Sequence, residues 1–130
     1  MTKEEKVQHW INMSDYDMDT ADALMQSKRY LYVGFMCHQA VEKLLKAYFI
    51  KLKDDTPPYT HNLITLAEKT EIFNAMSEQQ QLFIDRINNL NIEARYQDYK
   101  NMLAKELTSD VTQEILTKTK ELIIWIKQKI

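Results

Sequence analysis

The first half of the chain carries a group of polar side chains that could hold a charged ligand. The polar residues of an otherwise apolar helical stretch are His38, Gln39, Glu42, Lys43 and Lys46. Residues four apart on a helix share a face, so an imidazole and two ammonium groups would line one side of this helix. Two interpretations fit that face. It is either a polar groove that binds an anion or a set of salt bridges along the helix surface.

A second candidate segment lies near residue 95. Arg95 is one of three arginines in the chain, and Tyr96, Asp98 and Tyr99 follow it closely. A planar guanidinium group suits bidentate contact with a phosphate or carboxylate, and a tyrosine ring can stack on a nucleobase. The alternative is structural, with Arg95 pairing with Asp98 or with Glu42 and fixing the segment to the rest of the protein.

His61 and Cys37 are weaker candidates. His61 comes shortly after two prolines and opens a short helix, so it is either a ligand-binding group or part of a helix cap. Cys37 and His38 are neighbours on a helix and point about 100° apart, so they cannot share one metal site. Cys37 falls on the apolar face, where a small buried hydrophobe is the usual role. A nucleophilic pair of Cys37 and His61 is disfavoured.

Glycine content excludes the common phosphate-binding loops. Gly34 is the only glycine and lies within a helical pattern, so neither a dinucleotide-binding fingerprint nor a P-loop can be formed. Asp15, Asp17 and Asp19 imitate the start of a calcium loop, but the glycine and the glutamate that such a loop needs are missing. We therefore expect no metal site and no cofactor.

Composition indicates a single globular domain over residues 1–130. The net charge of −2 lacks the basic excess of proteins that bind extended DNA, although one nucleotide or a short RNA could bind at a local basic site. No apolar run approaches the roughly 20 residues of a membrane-spanning helix. The single cysteine and the charged N-terminus, which lacks a signal-peptide pattern, favour a cytoplasmic location.

Apolar residues recur at helical spacing throughout, which predicts an all-α fold. We expect an antiparallel four-helix up-and-down bundle with one additional short helix. The predicted helices cover about 2–25, 30–53, 62–70, a segment that begins near Ser77, and a segment from about 110 onward. Thr2 with Glu5 and Ser77 with Gln80 have the spacing of helix caps at two of these starts. The stretch 95–107 is polar and rich in tyrosine, so we predict that it is partly irregular. Ile124, Trp125 and Ile130 lie off the main apolar stripe of the last helix or at its margin.

Three motifs in order resemble the HEPN domain family. They are the helix from Tyr32 to Ala47, the segment Thr60-His61-Asn62-Leu63, and the segment Ala94-Arg95-Tyr96 with Asp98. The resemblance spans about 7–126. It implies a helical bundle that forms a two-fold homodimer, often acts beside a nucleotidyltransferase partner, and binds a nucleotide or RNA. On that basis the ligand-binding residues match His38, Gln39, Glu42, Lys43, His61, Arg95, Tyr96 and Asp98.

Two departures from the family pattern concern the Arg95 segment. Gln97 stands where the family has proline, and no histidine follows Arg95, whereas ribonuclease members carry a histidine with four to six residues between it and the arginine. We therefore expect a binding module without catalysis. The alternatives are a ribonuclease toxin of a toxin–antitoxin pair that uses Tyr99 instead, and a purely structural dimeric scaffold.

Overall fold

Seven helices make up the part of the chain that the computed structural model describes, residues 1–93 and 95–130. Their bounds are α1 Lys3–Gln26, α2 Tyr30–Lys53, α3 Leu63–Lys69, α4 Ile72–Ala75, α5 Glu78–Asn88, α6 Gln97–Glu106 and α7 Ser109–Lys127. Since these residues contain no strand, the predicted all-α class is confirmed. The four longest helices, α1, α2, α5 and α7, correspond to the predicted bundle.

Side-chain caps begin several helices where the sequence indicates. The Thr2 hydroxyl accepts a bond from the Glu5 amide at 3.1 Å, and the Glu5 carboxylate accepts one from the Thr2 amide at 3.2 Å. Ser77 and Gln80 form the same reciprocal pair at the start of α5. The Asn62 side chain caps α3. Each cap satisfies backbone N–H groups that a helix start leaves open, which stabilises the helix by about 1 kcal/mol.

Helices α1 and α2 form a long hairpin. The chain reverses direction in the turn between them, where Lys28 has a left-handed backbone conformation with a φ of 61°. Their faces pack along most of their length, and the Ser14 hydroxyl donates to the Ala40 carbonyl at 2.7 Å across the contact. Because Ser14 is fully buried, its hydroxyl would destabilise the hairpin if it had no hydrogen-bond partner, and the Ala40 carbonyl provides one.

Helix α2 is the centre of the fold and contacts α1, α3, α5, α6 and α7. Its glycine allows one of these contacts to be close. A Cβ atom at Gly34 would lie 3.3 Å from Leu90 Cδ1 and 3.4 Å from Leu107 Cδ1. The bare backbone of Gly34 therefore lets both leucines, one after α5 and one after α6, pack directly on α2.

Two short helices were not predicted. The stretch 95–107, expected to be partly irregular, contains the ten-residue helix α6, and α4 adds one more turn. Leu103 is the only buried residue of α6, which is why no apolar stripe marks this helix in the sequence. In the last helix Ile124 is exposed, while Trp125 and Ile130 are half-buried against the core.

Candidate functional site

A row of polar residues on α2 is buried rather than open. His38, Glu42 and Lys46 follow one another at intervals of four, so they share one face of the helix, and we call them the α2 polar row. All three are buried. Buried charges in proteins are normally paired, so their partners decide what the row can do.

Glu42 lies at the centre of the row and has two partners. Its Oε1 is 2.8 Å from His61 Nδ1, and its Oε2 accepts from Lys46 Nζ at 3.1 Å. The side chains of Glu42 and Lys46 are 5% and 9% exposed, whereas that of His61 is 48% exposed. Glu42 therefore joins α2 to the segment that precedes α3, and only His61 reaches the surface.

His38 fixes the same segment by a second contact. Its Nε2–H donates to the backbone carbonyl of His61 at 2.9 Å, and its Nδ1 lies 3.1 Å from the Gln39 side-chain amide. Burial lowers the pKa of His38, so the neutral ring is favoured. A neutral ring with its proton on Nε2 accepts at Nδ1, where the Gln39 side-chain oxygen lies. A 180° rotation of the Gln39 amide brings its NH₂ group to Nδ1 as the donor.

The two lysines of the predicted polar face, Lys43 and Lys46, are both engaged within the protein. Lys43 Nζ donates to Asp17 of α1 at 2.6 Å, on a different side of α2 from the polar row. Lys46 Nζ, besides its contact with Glu42, lies 5.5 Å from the centre of the Trp10 ring. These contacts favour the ion-pair interpretation of the α2 charges over an open anion-binding groove.

The segment Arg95–Tyr99, which we call the Arg95 segment, is by contrast exposed. Arg95 Nε donates to the Asn91 carbonyl at 3.2 Å, and its guanidinium carbon lies 5.0 Å from the centre of the Tyr99 ring. The Tyr99 hydroxyl donates to the Asn89 carbonyl at 2.7 Å. Tyr96 is 88% exposed. The segment thus presents a guanidinium held over one tyrosine, with a second tyrosine in solvent.

Neither structural partner proposed for Arg95 is found. In residues 1–93 and 95–130, Arg95 forms no ion pair with Asp98 or with Glu42; Glu42 is taken by Lys46 and His61, and Asp98 is exposed in the first turn of α6. The expected salt-bridge alternatives for this arginine are therefore wrong. The contact with the Asn91 carbonyl and the stacking on Tyr99 hold the guanidinium instead.

Asn88 connects the two regions and was not identified from the sequence. Its side-chain oxygen accepts from the Leu63 amide at 2.8 Å, and its amide nitrogen lies 3.3 Å from Asn62 Oδ1. The residue after it, Asn89, accepts the bond from Tyr99. Asn88 therefore ties the start of α3, next to His61, to the loop that leads to Arg95. An asparagine at a helix end has no signal that distinguishes this role from an ordinary cap.

A groove beside Tyr99 was also not predicted. It has a volume of about 300 Å³ and lies between α5, α6 and α7. Leu90, Leu103, Leu107 and Ile115 form its apolar floor. Because these residues come from three separate segments, only their packing brings them together.

The remaining candidates lead to no additional site. Within the described residues, no group of three or more His, Cys, Asp or Glu side chains is arranged to hold a metal ion. Cys37 is buried, and burial raises the pKa of its thiol to about 11, so it behaves as a small hydrophobe at neutral pH. None of the helices in residues 1–93 and 95–130 has the length and apolar character needed to cross a membrane.

Comparison with known proteins supports one family. The HEPN domain family model matches residues 7–129 of the chain. No curated protein and no solved structure matches the chain.

Proposed function

Since the matched region covers nearly the whole chain, the chain belongs to the HEPN domain family, and we propose that it binds a nucleotide without performing chemistry on it. The observation that carries this proposal is the exposure of the Arg95 segment. The charged ends of Lys43 and Lys46 are paired inside the protein, whereas the guanidinium of Arg95 faces solvent.

Arg95 has the geometry of a phosphate-binding group. Its Nε is held by the Asn91 carbonyl and its plane by Tyr99, so little side-chain freedom is left to lose when a ligand binds. In residues 1–93 and 95–130 its terminal nitrogens form no ion pair. An arginine of this kind can make two parallel bonds to one phosphate.

Tyr96 supplies the second half of a nucleotide site in this proposal. Its ring is almost fully exposed beside Arg95, and an exposed aromatic ring in water is an unfavourable arrangement that a stacked base relieves. Stacking of one base on an aromatic side chain contributes about 1–3 kcal/mol. Phosphate contact and base stacking together fit a nucleotide or the end of a short single-stranded RNA.

The environment of Tyr99 argues against the ribonuclease alternative. Its hydroxyl donates to the Asn89 carbonyl at 2.7 Å, which occupies its proton and fixes its position. The sequence after Arg95 contains no histidine that could transfer a proton. Binding through Arg95 needs neither group, so the binding proposal stands without catalysis.

Three wider features belong to the same proposal. Assembly as a two-fold homodimer and action beside a nucleotidyltransferase protein come from the family resemblance, and a cytoplasmic location comes from the single cysteine. Each has a direct measurement in light scattering, co-purification and cell fractionation, respectively.

Calorimetric titration of the purified chain with ATP, GTP and a short single-stranded RNA tests the binding proposal. Arg95→Ala should weaken binding about 10- to 100-fold, because a charge-assisted phosphate contact is worth about 1.5–3 kcal/mol. Tyr96→Ala should weaken it separately. Arg29→Ala is the matched control, since Arg29 is also exposed but lies in the turn between α1 and α2. Absence of saturable binding, or equal loss in the Arg29 control, refutes the proposal.

A further inference from the structure

A groove at one end of the bundle opens onto a hydrophobic cluster that is separate from the main core. The cluster is built on Val7, Ala47 and Ile50, with Ile11 and Ile130 packed against it. Val7, Ile11 and Ile130 also line the groove, which has a volume of about 360 Å³ and lies between α1, α2 and the end of α7. These three side chains give the groove an aliphatic floor. Its volume is at the lower end for ligand pockets, which suits a single unbranched chain.

Helix α1 sets the length of the aliphatic floor. Lys3, Val7 and Ile11 follow one another at intervals of four, so they share a face of α1, and all three line the groove. Lys3 and Ile11 are eight residues apart, which is about 12 Å along the helix axis at 1.5 Å per residue. An extended chain advances about 1.25 Å per bond, so about ten carbons span this floor.

Two lysines lie level with each other at one end of the floor. Lys3 and Lys51 both line the groove, from the start of α1 and the last turn of α2. The Ser14 hydroxyl contacts the Ala40 carbonyl, which fixes the register of the antiparallel hairpin. Counted from that contact, Lys3 is eleven residues back along α1 and Lys51 eleven residues forward along α2. The two ammonium groups therefore belong to the same end of the groove.

The charges around the floor favour an anion. In residues 1–93 and 95–130, neither Lys3 nor Lys51 forms an ion pair. A third lysine of the groove, Lys127, donates to Asp15 at 2.6 Å and is already neutralised. Among the described residues, Glu4 is the one carboxylate that lines the groove. The lining therefore keeps a positive charge at the end where the two unpaired lysines lie.

We propose that this groove is a second ligand site, separate from the nucleotide site, and that it binds a medium-chain fatty acid. The carboxylate accepts from the ammonium groups of Lys3 and Lys51, and the alkyl chain lies along the aliphatic floor. The groove has room for one chain, whereas a phospholipid carries two. A ligand with an anionic head and a single apolar tail matches both the charge and the length of the groove.

Calorimetric titration of the full chain with millimolar fatty acids of increasing length tests the site. We expect one saturable site per chain for decanoate. Affinity should rise about fourfold for each added methylene group, because each one leaves water, and should level off beyond about ten carbons, where the floor ends. Acetate should not bind measurably. Decylamine, which has a ten-carbon chain with an ammonium head, should bind more weakly than decanoate because the lysines repel its charge.

Paired variants test the two lysines. Lys3→Gln combined with Lys51→Gln should weaken decanoate binding about tenfold at low ionic strength, and added salt should reduce that difference. Lys6→Gln combined with Lys53→Gln is the matched control, since these are exposed lysines of the same two helices outside the groove. The control should leave the affinity unchanged.

A filled groove tests the aliphatic floor. Gln8 lines the groove but is exposed, so Gln8→Trp should block the alkyl chain without disturbing the core. Asn12→Trp, one turn further along α1 and outside the groove, should keep decanoate binding. Absence of a saturable site, affinity that does not depend on chain length, or binding that survives in folded Gln8→Trp overturns the proposal. Arg95→Ala should leave decanoate binding unchanged, so the fatty-acid and nucleotide proposals fail separately.

Discussion

The buried carboxylate of Glu42 offers the sharpest test of what the α2 polar row does. Glu42→Leu leaves the Lys46 ammonium, in a side chain only 9% exposed, without its counter-charge, and it removes the 2.8 Å contact to His61. Breaking one partner of a buried ion pair costs about 3–5 kcal/mol. A domain of this size has a total stability of about 5–15 kcal/mol, so the loss would be a large fraction of it.

A double variant distinguishes the cost of a buried charge without a partner from the net stabilisation that the ion pair provides. Replacing both residues, in Glu42→Leu with Lys46→Met, removes the stranded charge and fills the same space with apolar groups. We expect this double variant to recover much of the stability that Glu42→Leu loses, because well-packed hydrophobic replacements of buried ion pairs are often neutral. The resulting coupling free energy should be at least about 2 kcal/mol.

Urea unfolding followed by far-ultraviolet circular dichroism, at constant m value, gives each free energy of unfolding. Glu114 and Lys118 provide the matched control, since they form the same i,i+4 pair at 3.0 Å but are half exposed. Their cycle should show a far smaller coupling, because water screens the pair. If Glu42→Leu costs no more than Glu114→Leu, the polar row does not support the fold, and its groups would be available to a ligand.

Three other expectations follow from buried polar groups. Thr112→Val should increase the free energy of unfolding by about 1 kcal/mol and raise the melting temperature, because the buried Thr112 hydroxyl has no partner among the described residues. A lower melting temperature would contradict this. Cys37 should not react with a thiol reagent at pH 8 until urea unfolds the chain, since burial raises its pKa to about 11; rapid labelling of the native protein would contradict the burial. Burial lowers the pKa of His38, so the unfolded chain takes up the proton first and stability should fall as the pH drops below about 6.5. Urea unfolding at pH 7.5 and 5.5 measures this fall, and His38→Gln should make it smaller.

Helix starts were predictable because their signals are local. The Thr2–Glu5 and Ser77–Gln80 pairs each lie within four residues, and both caps form as expected. Helix α6 was missed for the opposite reason. It buries mainly Leu103, and the tertiary contacts of that leucine hold the helix, so its sequence shows polar residues and tyrosines without a stripe.

The role of the α2 polar residues could not be decided from spacing. The intervals between His38, Glu42 and Lys46 show that they share a face, but not whether another part of the chain covers that face. The cover comes from His61, which is 19 residues from Glu42 and follows an irregular segment. No periodicity links such positions, so only the folded structure distinguishes a buried pair from an open groove.

The structure also separates residues that the motifs group together. His38 and Glu42 of α2 both contact His61, and these contacts form a network that fixes the start of α3. Asn88 then connects that start to the loop before Arg95. A substitution in the buried network should therefore act on ligand binding only indirectly, through the position of this loop, whereas Arg95→Ala removes a group that would touch the ligand. Variants of the two kinds with equal stability are consequently expected to differ in affinity, and that difference tells a supporting residue from a binding one.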